Sequence, residues 1–296
     1  MITYESDVTP AVLAVMRRTT DPRLRTIMEA LVRHLHGFVR EVRLTEEEFR
    51  DAAAILNELG QRSTDSHNET VLMAGSLGVS SLVCLLNNGD NGQTETSQSL
   101  LGPFWRLNAP QVGNGGSIVR SPTPGAILFM SARVEDKHGQ PIAGAEVDIW
   151  HSSPVGLYEN QDPGQENFNL RGKFITDADG RFWFRSVKPA GYPVPTDGVV
   201  GRLLAAQDRH PYRPAHVHAL IYKPGFKTLI SQVYADDDEH LESDVQFGVT
   251  RALVGHFERH DELHPTESDA GLPWYSLDYI YVMEKGEAKL PRPPIK

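Results

Sequence analysis

Apolar positions recur every three or four residues along roughly the first hundred residues of the chain. Asp21-Pro22 reads as an N-cap followed by proline at the first helical position. Beyond it Leu24, Ile27, Met28, Leu31, Val32, Leu35, Val39 and Val42 form one apolar stripe, which predicts a helix of about 20 residues. The "TEEE" at 45–48 is a capping box, and the helix behind it presents Phe49, Ala52, Ala53, Leu56 and Leu59 on one side, with Gly60 as its stop. A third helix is predicted over 68–87, ending in "NNGDNG". It is apolar around most of its circumference, which suits a domain centre or a subunit interface.

From about residue 100 the period changes to two, with Pro and Gly at short intervals. "AILFMSARVED", "AEVDIWHS", "HVHALIY", "TLISQVY" and "YSLDYIYVM" read as strands, and "FITDADGRFWFRSV" reads as a hairpin around Asp179-Gly180. Many short strands separated by turn signals predict an antiparallel β-sandwich. The expected fold class is therefore mainly β with α, a helical part over 1–100 followed by a β-sandwich over 101–296, with no internal repeat.

Composition narrows the function classes. At 296 residues, 40% hydrophobic and 23% charged, the chain fits a soluble globular protein with a large core. Its 29 basic against 39 acidic residues give a net charge of −10, which argues against nucleic acid or an anionic membrane as partner through a global field. No apolar run approaches the roughly 18 residues of a membrane span. The start "MITYESDVTPAVLAVMRRTT" lacks the basic and apolar regions of a signal peptide. The single cysteine, Cys84 in "LVCLL", reads as a buried thiol, so a cytoplasmic location is expected.

The stretch "RHPYRPAHVHALIYKP" holds the densest candidate chemistry. His216 and His218 are two apart on a predicted strand, so both imidazoles leave one face while Val217 and Ala219 leave the other. Two such imidazoles can share a metal ion, although a histidine pair on a strand is equally compatible with surface or hydrogen-bonded residues. Catalytic zinc would need a third ligand from a neighbouring strand, and His151 in "DIWHSS" is the candidate. His34 and His36 point to different sides of their helix, and Cys84 is an unsuitable ligand. Tyr158 in "WHSSPVGLY" and Tyr192 in "KPAGYPVPTDG" lie in loops leaving predicted strands. A phenolate is a hard anion suited to Fe(III), whose charge holds it deprotonated below its ordinary pKa.

"GLYENQDPGQENFNLRGKFITDADGRFWFRSVKPAGYPVPTDG" followed by "RPAHVH" resembles the non-haem iron(III) intradiol ring-cleavage dioxygenases. The resemblance runs from about residue 20 to the C-terminus and takes in "LGPFWRLNAP" and "LPWYSLDYIYV". It implies one Fe(III) per subunit held by Tyr158, Tyr192, His216 and His218, and a catecholic substrate cleaved with O₂ between its two hydroxyl-bearing carbons. It further implies that Tyr192 takes a proton from the substrate and is displaced, that Arg213 stabilises negative charge on the ring, and that Gln232 is part of the catalytic set. His210 is left as a loop residue. Helices in 1–100 are implied to pair two copies into a homodimer, with a lipid at that interface in the family, and 101–296 to be the catalytic domain.

Leu72, Gly75, Gly102, Pro103, Phe104, Val194 and Arg213 are the residues implied to bind the ring. Gly102-Pro103-Phe104 resembles enzymes of hydroxyquinol (1,2,4-trihydroxybenzene), whose product is 3-hydroxy-cis,cis-muconate or its tautomer maleylacetate. Against this, Gly75 stands where an aspartate contacting the third hydroxyl is expected. A catechol or chlorocatechol 1,2-dioxygenase giving cis,cis-muconates is the alternative. More remote are a zinc hydrolase using His216, His218 and His151, and a β-sandwich binding module without catalysis.

Overall fold

Asp21 begins the first long helix with its own carboxylate, which accepts from the backbone N–H groups of Arg23 and Leu24. The computed structural model in which this is seen describes residues 2–64, 67–87 and 96–294. Helix α1 spans Glu5–Met16 and α2 spans Pro22–Val42. The capping box at Thr45 and Glu48 is formed in both directions and opens α3, Glu46–Arg62. Helix α3 does not stop at Gly60 but continues to Arg62, so this glycine lies inside the last turn. Helix α1 lies within the helical part expected over 1–100, but its apolar residues form no stripe that would mark its bounds, and Pro10 lies inside it. By internal contacts the chain divides into two compact units, Met1–Glu58 and Leu59–Lys296.

In the first unit Arg40 ties α2 to α1 through Glu5 and Thr9, at 2.5 and 2.8 Å. The predicted stripe of α2 is largely uncovered: Val32 is buried, while Leu24, Ile27, Leu31, Leu35, Val39 and Val42 are exposed.

In the second unit the helix expected over 68–87 is two helices, α4 (Glu69–Ser76) and α5 (Val79–Asn87), bent by 77°. The break falls at Gly78, whose φ of +71° is open to glycine and strained for other residues. Its "NNGDNG" stop lies, from residue 88 on, outside the described residues. No single described helix is long and apolar enough to cross a membrane.

The predicted strands form at their predicted places. They are β1 (Ile127–Asp136), β2 (Glu146–His151), β3 (Arg171–Ile175), β4 (Arg181–Val187), β7 (His216–Tyr222), β8 (Leu229–Ala235) and β11 (Trp274–Met283). Short strands β5 (Tyr192–Pro193), β6 (Tyr212–Arg213), β9 (Val254–Gly255) and β10 (Glu258–His260) complete the set, and α6 (Val199–Ala206) lies between β5 and β6. One sheet has the order β10-β11-β1-β4 and the other β3-β2-β7-β8-β9, with β5 and β6 paired to each other. Most neighbours are antiparallel, as expected for the sandwich, but β11 runs parallel to β1 and β9 parallel to β8.

The turn at Asp179-Gly180 is present, with Gly180 donating to Asp177 O, yet it does not make the expected hairpin. Strand β3 pairs with β2 in one sheet and β4 pairs with β1 in the other, so the turn carries the chain across the sandwich. Phe174 on one side of the turn and Phe182 and Phe184 on the other then meet within the core between the sheets. Alternation along each strand is satisfied by either arrangement, which is why the sequence did not separate them.

Candidate metal centre and ring pocket

Strand β7 is covered on both faces. Val217, Ala219 and Ile221 enter the core between the sheets, and His216 and His218 therefore emerge on the outer face. There a second apolar cluster forms from Phe104, Trp105, Trp150, Tyr158, Tyr192 and Leu220. Trp150, the cross-strand neighbour of His218, stacks on its ring at 4.5 Å and 9°. Both histidines are 1% exposed, so they are not the surface pair the bare motif allowed.

The two Nε2 atoms face each other at 3.1 Å. His216 Nδ1 lies 2.7 Å from the carbonyl of Pro214, which can only accept, so Nδ1 carries the proton and Nε2 presents a lone pair. Burial, then the neighbouring Arg213, push the His216 imidazole down to about 3. Burial, then His216, hold His218 well below its ordinary value. Both rings are thus neutral, the form that binds a metal.

Tyr158 and Tyr192 complete the ring cluster. Tyr158 lies edge-on to Tyr192 at 5.7 Å and 6.4 Å from His218, and Tyr192 lies 5.7 Å from His216. The Tyr158 hydroxyl is buried with no hydrogen-bond partner among the described residues, and His218 Nδ1 is likewise unpartnered. Burial, then the Tyr192 phenol, raise the Tyr158 pKa well above its ordinary value, so without a cation this hydroxyl stays protonated. An orphaned phenol beside two neutral imidazoles aimed at one point is the donor set a trivalent ion would satisfy. The residues fit such an ion.

Arg213 pairs across β5–β6 with Tyr192, which puts both on one small ribbon. Its guanidinium is buried, with Nε donating to Asp244 and Nη2 to Asp244, Gln232 and Tyr234. Burial opposes its charge most strongly, but Asp244, then Tyr234 and Tyr192, reverse this and hold it firmly cationic. Gln232 accepts from Arg213 and from the Tyr234 hydroxyl and donates to Leu100 O at 2.7 Å. It sits opposite His218 on β8 and is fully buried, with its side-chain oxygen against the Arg213 guanidinium.

A cavity of about 450 Å³ opens against this cluster. Leu72, Gly102, Pro103, Phe104, Tyr192, Val194 and Arg213 are on its wall. Phe104 stacks on Tyr158 at 4.3 Å. An internal ion triad fixes that pairing: Glu159 accepts from Arg171 at 2.7 Å and from Arg106 at 2.8 Å, and Arg171 also donates to Phe104 O at 2.5 Å.

Three expectations are corrected. Gly75 is buried but not on the cavity wall, because the Gln246 side chain stands where a side chain at 75 would be. His151 is no third imidazole. It shares a face with Val217, opposite to the histidine pair, and its nitrogens engage Ser152 O and Ser186 Oγ, both at 2.7 Å. Among the described residues no group of three His, Cys, Asp or Glu side chains is arranged for a metal, which removes the zinc-hydrolase alternative. Finally Tyr192 is in a short strand and not a loop. His210 is in a loop as expected, its ring 4.8 Å from that of His240.

Asp244, Tyr234, Glu69 and Gln246 were not singled out from sequence. Tyr234 closes the predicted strand "TLISQVY", Asp244 and Gln246 lie in "ADDDEHLESDVQFG" and Glu69 in "SHNETVLM", and only the tertiary contact gives them a role.

Residues 101–279 match the family described as "Dioxygenase", and residues 21–95 match "Catechol dioxygenase N terminus". The chain is 40% identical over 278 residues to hydroxyquinol 1,2-dioxygenase of Rhizobium sp. (strain MTP-10005), covering 93% of each chain. It is 37% identical over 260 residues to catechol 1,2-dioxygenase of Candida albicans (strain SC5314 / ATCC MYA-2876), covering 87% of this chain and 85% of that one. The solved hydroxyquinol 1,2-dioxygenase of Pseudomonas putida DLL-E4 superposes with a TM-score of 0.87 at 36% identity, covering 95% of this chain and 99% of that one.

Proposed function

This chain belongs to the intradiol ring-cleaving dioxygenases, oxidoreductases that insert both atoms of O₂ into a catecholic ring, and we propose that its substrate is hydroxyquinol. The product is then 3-hydroxy-cis,cis-muconate, or maleylacetate after tautomerisation. Enzymes of the family use iron(III). The reading assigns one such ion per subunit to Tyr158, Tyr192, His216 and His218, and the observation that carries it is the convergence of the two Nε2 atoms beside the orphaned Tyr158 hydroxyl.

When bound, the ion supplies the Lewis-acidic, redox-active centre at which ring and O₂ meet. This chain's residues do the rest. Phe104, Pro103, Leu72 and Val194 enclose the ring in an apolar slot and exclude water. With the ion bound and Tyr192 held as its phenolate, Oη on the cavity wall would take a substrate hydroxyl proton and so become the phenol. Arg213 opposes the negative charge that grows on the ring, and Asp244, Gln232 and Tyr234 hold its guanidinium in place. The proton stays on His216 Nδ1, which donates it in a hydrogen bond to Pro214 O and so keeps Nε2 free.

Phe104 and the hydroxyquinol-acting relatives favour hydroxyquinol over catechol. We place the enzyme in the cytoplasm, in keeping with its single reduced thiol, and as a homodimer through its helices.

The iron-loaded protein is expected to be wine-red from tyrosinate-to-Fe(III) charge transfer. Tyr158→Phe bleaches that colour and abolishes ring opening. A folded, colourless wild-type protein after loading with iron, or full turnover by Tyr158→Phe, counts against the ligand assignment. Comparing O₂-dependent ring opening of hydroxyquinol and catechol tests the substrate, and a strong catechol preference withdraws hydroxyquinol.

A further inference from the structure

Tyr158 is backed by a buried arginine. Arg171 opens β3 opposite Trp150 on β2, and Trp150 in turn lies opposite His218 on β7. Directly paired residues share a face, so the three make one row across the outer face of the sheet. Arg171 is 2% exposed, and its guanidinium carbon lies 5.9 Å from the centre of the Tyr158 ring. Nε donates to Glu159, the residue after Tyr158, and Nη1 donates to the carbonyl of Phe104, whose ring stacks on Tyr158. Nη2 is buried with no hydrogen-bond partner among the described residues.

A guanidinium taken out of water persists where anionic groups balance it. Among the described residues Glu159 is the one carboxylate ion-paired with Arg171, and it is shared with Arg106. Two guanidinium groups against one carboxylate leave this triad with an excess positive charge. Arg106 is partly open to solvent and also donates to Asn167, so its charge is screened. Arg171 is closed in, and the group its charge faces is the Tyr158 ring. A Tyr158 phenolate is the anion that this excess lacks.

From this geometry we infer that Arg171 is a positioning residue of the metal centre. It fixes the Tyr158 ring by holding the two residues that flank it, and its charge balances the Tyr158 phenolate. The inference rests on the reading of Tyr158 as a metal ligand. A fixed cation behind a phenolate lowers the energy of the electrons on its oxygen, so more energy is needed to move one onto the ion. Taking that cation away shifts the tyrosinate charge-transfer band to longer wavelength, and taking away the Glu159 charge shifts it to shorter.

The visible spectra of the iron-loaded wild type and four variants test this. Arg171→Met should move the band to longer wavelength by roughly 20 nm. Arg171→Lys restores the charge without the planar fork, and should bring the band at least partly back. Glu159→Gln should move it the opposite way. Loosened packing alone gives no reason for opposite signs. Arg106→Gln leaves both Arg171 donors in place and removes one charge of the triad, so a smaller shift to longer wavelength is expected, and this variant serves where a buried substitution fails to fold. A band that moves the same way in Arg171→Met and Glu159→Gln, or stays unmoved in Arg171→Met and Arg106→Gln, overturns the inference alone. A colour that survives Tyr158→Phe unchanged withdraws the ligand reading together with it.

Discussion

Three buried histidines of this chain have the same side chain and different work. His216 and His218 each leave Nε2 facing the other, and His151, one strand away, has both nitrogens engaged by Ser152 and Ser186. Register decides which is which. His151 pairs with Val217 and shares its face, so no rotamer brings it to the other two. The pH dependence follows from its burial, which pushes its folded pKa down to about 4 from 6.5. Between those values the unfolded chain binds the proton and the folded chain does not, so stability rises with pH. The contribution is complete above about 6.5 and is lost as pH falls toward 4, on the order of 3 kcal/mol in all. His151→Asn should therefore take up about one proton fewer on unfolding near pH 5, measured from the pH dependence of denaturant unfolding. An unchanged slope would show that His151 is already charged in the fold.

At the scale of elements, two glycines behave opposite to the sequence pattern around them. Gly60 sits where the pattern ends the helix, yet α3 runs through it, and a Cβ there would meet nothing within 4 Å. Gly78 was read as part of a continuous helix, yet its φ of +71° ends α4 and turns the chain into α5. A Cβ at Gly78 would touch Phe247 at an ordinary 3.6 Å, so the penalty there is one of backbone conformation and not of space. Gly60→Ala should stabilise by about 0.5–1 kcal/mol, and Gly78→Ala should destabilise by about 1–2 kcal/mol, both read by denaturant unfolding. Equal signs would contradict these placements. The break has a functional side, since it allows Leu72 on α4 and Val79 and Val83 on α5 to line the same cavity.

At the scale of the whole molecule, the exposed apolar surface is concentrated on helices. Leu24, Ile27, Leu31, Leu35 and Val39 on α2, and Leu82, Val83 and Leu86 on α5, are all uncovered. A chain that leaves such stripes to water has much to gain from covering them with a second copy. Light scattering at micromolar concentration should give twice the 32.9 kDa of one chain. Leu31→Glu together with Leu35→Glu should reduce it to one. A wild-type monomer would remove the dimer proposal.

Alternation along the strands, the caps at Asp21 and Thr45, and the spacing of His216 and His218 were local properties, and they determined where most elements lie and which face the histidines take. Together with Tyr158 and Tyr192 they were enough to indicate the chemistry, because the ligand candidates are named by their immediate neighbours in the chain. The tertiary structure alone decided that the turn at Asp179-Gly180 crosses between sheets and that His151 faces away from its namesakes. It alone set Asp244 behind Arg213 and Gln246 against Gly75. Those outcomes depend on which surfaces meet across 30 to 170 residues of chain, as between Arg213 and Asp244 or Ser76 and Gln246, and no local periodicity encodes such a meeting.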